Sequence, residues 1–159
     1  MARRGQTPTR IVAPDPVFNN VLLTKFINGV MLDGKKSVAQ AEVYEALEKI
    51  GQDSGEEALP IFLSAIDQVK PLMEVRPRRV GGAAYQVPMQ VRGPRRESLA
   101  IRWLIMAARA RSNKDYHTFA EKLAAEIIDA SRGLGGAIGK KKDMERVAEA
   151  NRAFAHFKW

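Results

Sequence analysis

The chain has 159 residues, of which 45% are apolar, with no cysteine and a formal charge of +8. That length and composition sustain one compact core, and the missing thiols exclude disulfides, iron–sulfur clusters and most structural zinc sites. No uncharged apolar run of about 18 residues occurs, and the basic start leads into Pro14 and Pro16 instead of an apolar signal core, so no membrane association is expected.

Residues 1–16 hold Arg3, Arg4, Arg10, three prolines and few large apolar groups. They cannot bury enough surface to fold alone and read as a flexible basic arm. Residues 17–159 are expected to form a single helical domain. Asp15-Pro16 has the form of an N-cap followed by proline at the first helical position, and Leu23, Phe26, Ile27 and Val30 then mark one helical face up to Asp33-Gly34. A second helix is expected from about Ser37 to Ile50, with Val43, Ala46, Leu47 and Ile50 inward and a break over Gly51 to Gly55. Leu59, Phe62, Leu63 and Ile66 repeat the spacing in a third helix that stops near Pro71.

The period then falls to two. Met73, Val75 and Pro77 alternate with Glu74, Arg76 and Arg78, and Tyr85, Val87, Met89 and Val91 alternate with Gln86, Pro88, Gln90 and Arg92. With Gly81-Gly82 as the turn, this is a two-stranded hairpin over about 73–91. Pro77 and Pro88 argue against a larger sheet, so the ribbon must lean on the helices at its base or on a ligand at its tip. Tyr85 is assigned to packing in preference to stacking on a base.

Pro94 opens a fourth helix with Ile101, Leu104, Ile105 and Ala108 on one side and Arg95, Arg102 and Arg109, spaced by seven, on the other. A fifth, from about Thr118 to Ala130, buries Phe119, Leu123 and Ile127. Gly133 to Gly139 reads as a mobile loop before Lys140-Lys141-Lys142, and a last helix with Met144, Val147 and Ala148 runs toward Trp159. The fold class is therefore mainly α: a bundle of about six helices with a protruding two-stranded hairpin between the third and fourth.

Catalytic and metal-binding patterns are lacking. His117 and His156 are the only histidines and have no metal-ligand spacing. The glycines before Lys140 fail as a phosphate loop, since Leu134 stands where GxxxxGK needs its first glycine and Lys141 replaces the Ser or Thr. Glu42, Glu45 and Glu48 read as one solvated helix face. No cofactor or metal and no enzymatic activity are expected.

The stretch Lys70 to Arg111 holds ten basic and two acidic side chains, an excess equal to the +8 of the whole chain. Nine of the ten are arginine, the residue suited to bidentate phosphate and base contacts. Arg76, Arg78, Arg79, Arg92, Arg95 and Arg96 crowd together with only Glu74 and Glu97 to balance them, an arrangement that asks for a polyanion. The basic arm, Lys35-Lys36 and Lys140 to Lys142 extend the footprint if they share that face. Helices followed by a basic hairpin also describe a winged-helix DNA-binding repressor. However, residues 56–69, which would enter the groove, contain Glu56, Glu57 and Asp67 and no Lys or Arg. Shape-based binding to folded RNA fits better.

Several ordered phrases carry a resemblance: Pro14-Asp15-Pro16, Asp33-Gly34-Lys35-Lys36-Ser37, Arg78-Arg79-Val80-Gly81-Gly82, Tyr85-Gln86-Val87-Pro88, Arg95-Arg96 with Ala100-Ile101-Arg102-Trp103, and the run Ala148 to His156. From about Arg3 to Trp159 the chain resembles the small-subunit ribosomal protein seven family in its bacterial and organellar form. The resemblance implies a primary binder of 16S-type rRNA that engages the 3′ major domain, nucleates assembly of the subunit head, and lies near the decoding region, mRNA and exit-site tRNA. It implies rRNA contacts from Arg3, Arg4, Arg10, Gly34, Lys35, Lys36, Arg76, Arg78, Arg79, Arg92, Arg95, Arg96, Arg102, Arg109 and Arg111, and Lys114, Lys140, Lys141 and Lys142 are expected to join them as basic residues of the same footprint. Val80, Gly81, Gly82, Ala83 and Trp159 would lie toward exit-site tRNA and neighbouring head and platform proteins. A cytoplasmic bacterial ribosome is expected over an organellar one, with no homo-oligomer. Two features depart from the pattern: the segment Ser112 to Phe119, and Glu145, where the family often has histidine.

Overall fold

The computed structural model describes Gly5 and residues 11–157; the expectations placed on Arg3, Arg4, Arg10 and Trp159 fall outside the described residues. In chain order the elements are α1 (Val21–Val30), α2 (Lys36–Ser54), α3 (Ala58–Val69), β1 (Met73–Val80), β2 (Ala83–Gln90), α4 (Gly93–Ala110), α5 (Phe119–Ser131), α6 (Gly135–Ala150) and a terminal 3₁₀ helix (Arg152–Phe157). This is the expected helical bundle with a hairpin between α3 and α4.

Helix α5 is central, packing on α2, α3, α4 and α6. Its Leu123 and Ile127 join Leu23, Phe26, Ile27, Leu47, Ile50, Phe62, Ile66 and Leu104 in a core withdrawn from water. Phe26 and Phe62 meet edge to face, with ring centroids 5.1 Å apart, the arrangement their quadrupoles favour. A capping box starts α5: Thr118 accepts from the Glu121 N–H, and Glu121 accepts from the N–H groups of His117 and Thr118. The Thr118 and His117 amides, and then Lys49, hold the Glu121 carboxyl down at about 2.

Three expected boundaries are corrected. Asp15-Pro16 does not open α1. Asp15 Oδ2 accepts from the N–H groups of Val17 and Phe18, both at 3.1 Å, closing a turn that Asn19 leaves with φ of 48°. The helix starts afresh at Asn20, whose Oδ1 accepts from Leu22 and Leu23. Helix α2 passes through Gly51 and ends at Gly55 instead of breaking there. The third correction is larger: Gly133 to Gly139 is not a loop, because α6 already begins at Gly135.

A buried carboxylate explains that helix. Glu126 is 1% exposed; its Oε1 accepts from the Ala137 N–H at 2.9 Å, and its Oε2 accepts from Arg111 Nε at 2.8 Å. Arg111 also reaches Asp129. The negative charge sits at the positive end of the α6 dipole and is neutralised by one guanidinium. Gly135 has φ of +90°, and a Cβ there would come within 2.9 Å of Glu126 Oε1. At Gly136 the nearest neighbour is the Ala107 methyl, 3.2 Å from where a Cβ would stand, so α6 lies close on α4.

The β1–β2 register pairs Val75 with Pro88, Arg76 with Val87 and Arg78 with Tyr85. Directly paired residues share a face, so Val75 and Pro77 lie on one side of the ribbon and Tyr85, Val87 and Met89 on the other. The two apolar stripes therefore do not coincide, as a one-sided ribbon would require, and each has its own support. On the first side Val75, Pro77 and Gln86 line a groove with Trp103, Met144 and Val147. On the second, Tyr85 packs on Phe154 and Phe157 with ring centroids at 5.1 and 5.3 Å. Gly81 and Gly82, with φ of 57° and 90°, make the turn, the conformation a two-residue type I′ connection requires. Tyr85→Ala removes the aromatic support on the second side. Its expected effect is faster hydrogen exchange of the β1–β2 amides with the core amides of α5 unchanged, measured by mass spectrometry.

Candidate nucleic-acid interface

At the foot of the ribbon, Glu74 is 5% exposed. It accepts from Arg76 Nε at 2.7 Å and from Arg95 Nε at 3.2 Å, joining β1 to the first turn of α4. Arg96 Nε donates to the Pro71 carbonyl at 3.0 Å. One inward carboxylate thus anchors two guanidinium groups that remain about half exposed on their outer sides. Arg92, the residue at the α4 N-cap, makes no capping bond, and no acid stands in the first turn. The uncapped amide end of α4 is surrounded by cations, a setting that favours anionic oxygen.

A second group lies along α4. Helix α1 approaches it closely at Gly29, where a Cβ would come within 3.0 Å of Ile105 and 3.1 Å of Ile101. That contact floors a cavity of about 420 Å³ whose rim carries Lys25, Glu97, Arg102 and Arg109. Lys25 and Glu97 pair at 3.0 Å, and Arg109 donates to the Val30 carbonyl at 3.0 Å. Arg102 is exposed and has no side-chain partner among the described residues. Arg109 also borders the next hollow, together with Asp33 and Lys35. The basic surface of α4 therefore runs on into the exposed turn of Gly34, Lys35 and Lys36. Lys36 in turn borders the segment 11–16 that leads back to the arm.

Other expected members are placed differently. Arg111 is directed into the protein by Glu126 and Asp129, with its guanidinium over the Tyr116 ring at 5.5 Å. It is a folding residue in this structure. Arg78 is half-buried and engaged within the fold, whereas Arg79 projects from the opposite face of the ribbon. Val80 is half-buried, and Gly81, Gly82 and Ala83 form an exposed tip. Lys140, Lys141 and Lys142 are not a loop run: they sit on α6 at about 100° intervals. Lys141 donates to the Gln68 carbonyl at 2.8 Å, while Lys140 borders the α4 side at Met106 and Ala107. Lys114 is exposed in the α4–α5 connection.

Sequence reasoning missed Lys25, Gly29 and the anchoring role of Glu74. The signal for Gly29 is a glycine kept in mid-helix, where it lowers propensity unless close packing needs it. Glu42, taken as part of a solvated face with Glu45 and Glu48, is instead half-buried. Departing Glu145 accepts from the Leu72 N–H at 3.3 Å and so holds α6 to the ribbon foot. Among the described residues no group of His, Cys, Asp and Glu could hold a metal ion, and no helix is long and apolar enough to cross a membrane.

A helical body with an arginine-bearing ribbon, continuous with a basic helix face and turn, defines a protein of the nucleic-acid-binding class. Comparison with known proteins gives the particular family. Residues 2–152 match the family described as ribosomal protein S7p/S5e, and the chain belongs to it. Similar relatives are the small ribosomal subunit proteins uS7 of Acetivibrio thermocellus, 51% identical, and of Caldanaerobacter subterraneus subsp. tengcongensis and Rhodopseudomonas palustris, each 55% identical. Each alignment covers the whole of both chains. The family is one of ribosomal proteins and not of enzymes.

The geometry separates surface from folding arginines. Arg102→Ala is expected to leave stability within about 0.5 kcal/mol of the parent. Arg111→Ala strands Glu126 without its cation and should cost about 3 kcal/mol. Urea denaturation of the two variants measures the difference.

Proposed function

We propose that the protein is a structural constituent of the small ribosomal subunit in the bacterial cytoplasm. It binds the 3′ major domain of 16S-type rRNA and nucleates assembly of the subunit head, as one copy and without forming or breaking bonds. The observation that carries this reading is the disposition of charge. Both local acids are already used, Glu74 by Arg76 and Arg95 and Glu97 by Lys25, while Arg79, Arg92 and Arg102 have no acid partner among the described residues. Each is a cation left to pair with a phosphate oxygen.

In this reading the Arg92–Arg95–Arg96 end of α4, the Arg102–Arg109 stripe and the Gly34–Lys35–Lys36 turn hold separate segments of folded RNA in one arrangement. The arm residues Arg3, Arg4 and Arg10 continue the contact, with Lys114 and Lys140 at its margin. The ribbon tip from Val80 to Ala83 and the C-terminal segment ending at Trp159 lie toward exit-site tRNA, mRNA and neighbouring head and platform proteins. The winged-helix alternative loses further ground because α3 carries neither Lys nor Arg and turns Phe62, Ala65, Ile66 and Val69 into the core.

Titration of 3′ major domain rRNA, an unrelated structured RNA of equal length and duplex DNA at several salt concentrations tests the proposal. Engagement of six to ten phosphates predicts an affinity loss of roughly 10³ to 10⁵ between about 50 and 200 mM salt. A preference for the rRNA must survive that loss. Arg102→Ala should reduce the slope of log affinity against log salt by about one. Equal binding of all three nucleic acids, vanishing together, overturns the assignment.

A further inference from the structure

The hollow beside Arg109 has a feature that phosphate contacts do not use. It measures about 510 Å³, within the size range of small-ligand sites, and is lined by Val30, Leu32, Val38, Ala39 and Phe119 together with Lys35, Arg109, Asp33 and Glu42. Leu32 and Val38 are 61% and 55% exposed, so the apolar wall faces outward. Glu42 Oε2 is occluded from water and has no hydrogen-bond partner among the described residues. A carboxylate oxygen deprived of both is costly to hold, and a ligand that draws the side chain into the hollow and donates to it recovers that cost.

We infer that this hollow receives a single unpaired guanine of the bound RNA, with Glu42 accepting from its base edge. The inference rests on the proposed RNA-binding function. Two cations against one acid, Asp33, at the rim, an apolar wall and the carboxylate of Glu42 match the parts of a nucleotide: Lys35 and Arg109 suit its phosphates, Val38 and Phe119 its ring, and Glu42 its donors. Guanine is favoured because its Watson–Crick edge presents two adjacent donors, N1–H and the N2 amino group, to the two carboxylate oxygens. Adenine and cytosine set a ring acceptor beside their one amino donor, and uracil flanks its N3–H with two carbonyls; each would meet the carboxylate with repulsion. A basic side chain from a neighbouring protein would meet Lys35 and Arg109 at the rim, with only Asp33 there to offset them.

The test compares the parent protein with Glu42→Gln on 3′ major domain rRNA, using a glyoxal reagent that modifies unpaired guanine at N1 and N2. In the parent complex one unpaired guanine is protected. With E42Q, whose amide group offers a donor where guanine also donates, that guanine becomes reactive and affinity falls roughly tenfold, while other protections persist. Thermal unfolding of free E42Q at or above the parent midpoint separates this loss from a folding defect, because the substitution removes the occluded carboxylate. Identical guanine protection and affinity in the two complexes, with the parent binding normally, overturns the site, including when a neighbouring protein proves to fill the hollow. Failure of the parent to distinguish this rRNA from other RNA is a different result and removes the interface as a whole.

Discussion

Glu126 and Arg111 make the contact on which the arrangement of α4, α5 and α6 depends. Each is costly to withdraw from water alone. Together they join the end of α4 to the middle of α5, and the second carboxylate oxygen takes up a backbone donor at the start of α6. Three helices are thereby fixed around one charge pair, and the close approaches at Gly135 and Gly136 are possible only because no side chain intervenes. The ribbon and the basic face of α4 inherit their placement from this corner: α4 carries the arginine stripe, and α6 supports the side of the ribbon formed by Val75 and Pro77.

The same chemistry divides the arginines into two uses. At Glu126, in the middle of α5, the guanidinium of Arg111 is itself largely covered and its charge is consumed by the fold. Glu74 is buried too, but its partners stand at the edge of the fold, so it orients Arg76 and Arg95 without covering them. Arg79, Arg92 and Arg102 have neither restraint. Sequence spacing treats Arg109 and Arg111 as similar members of one basic cluster, yet a two-residue step on a helix end turns one outward and the other into the protein.

Most of the fold was legible because its elements carry strong periodic signals. The stripes Leu23-Phe26-Ile27-Val30 and Leu59-Phe62-Leu63-Ile66 and the period of two from Met73 to Val91 mark their elements without tertiary information. The errors occur where a distant group decides. Gly133 to Gly139 has the composition of a loop, and only the carboxylate of Glu126, from another helix, makes it the start of α6. Asp15-Pro16 has local capping chemistry, but Asp15 spends it on a turn and on the Tyr44 hydroxyl at 2.7 Å. The basic surface was legible as charge, and its family character as ordered phrases. The opposed apolar faces of the ribbon were not, since register depends on the turn and not on either strand alone.

Those opposed faces make the hairpin a cantilever. Support from α6 reaches β1 on one side, and the aromatic rings of the 3₁₀ helix reach Tyr85 on the other. Beyond Tyr85 the ribbon continues only to the turn, a free length of roughly 10 Å at about 3.3 Å per residue. A short beam held on both faces resists bending in either direction and transmits a push at its tip to its root. At the root, Glu74 ties the strand to α4 and Glu145 ties the approach to β1 to α6, so a load on Gly81-Gly82 is shared by two helices.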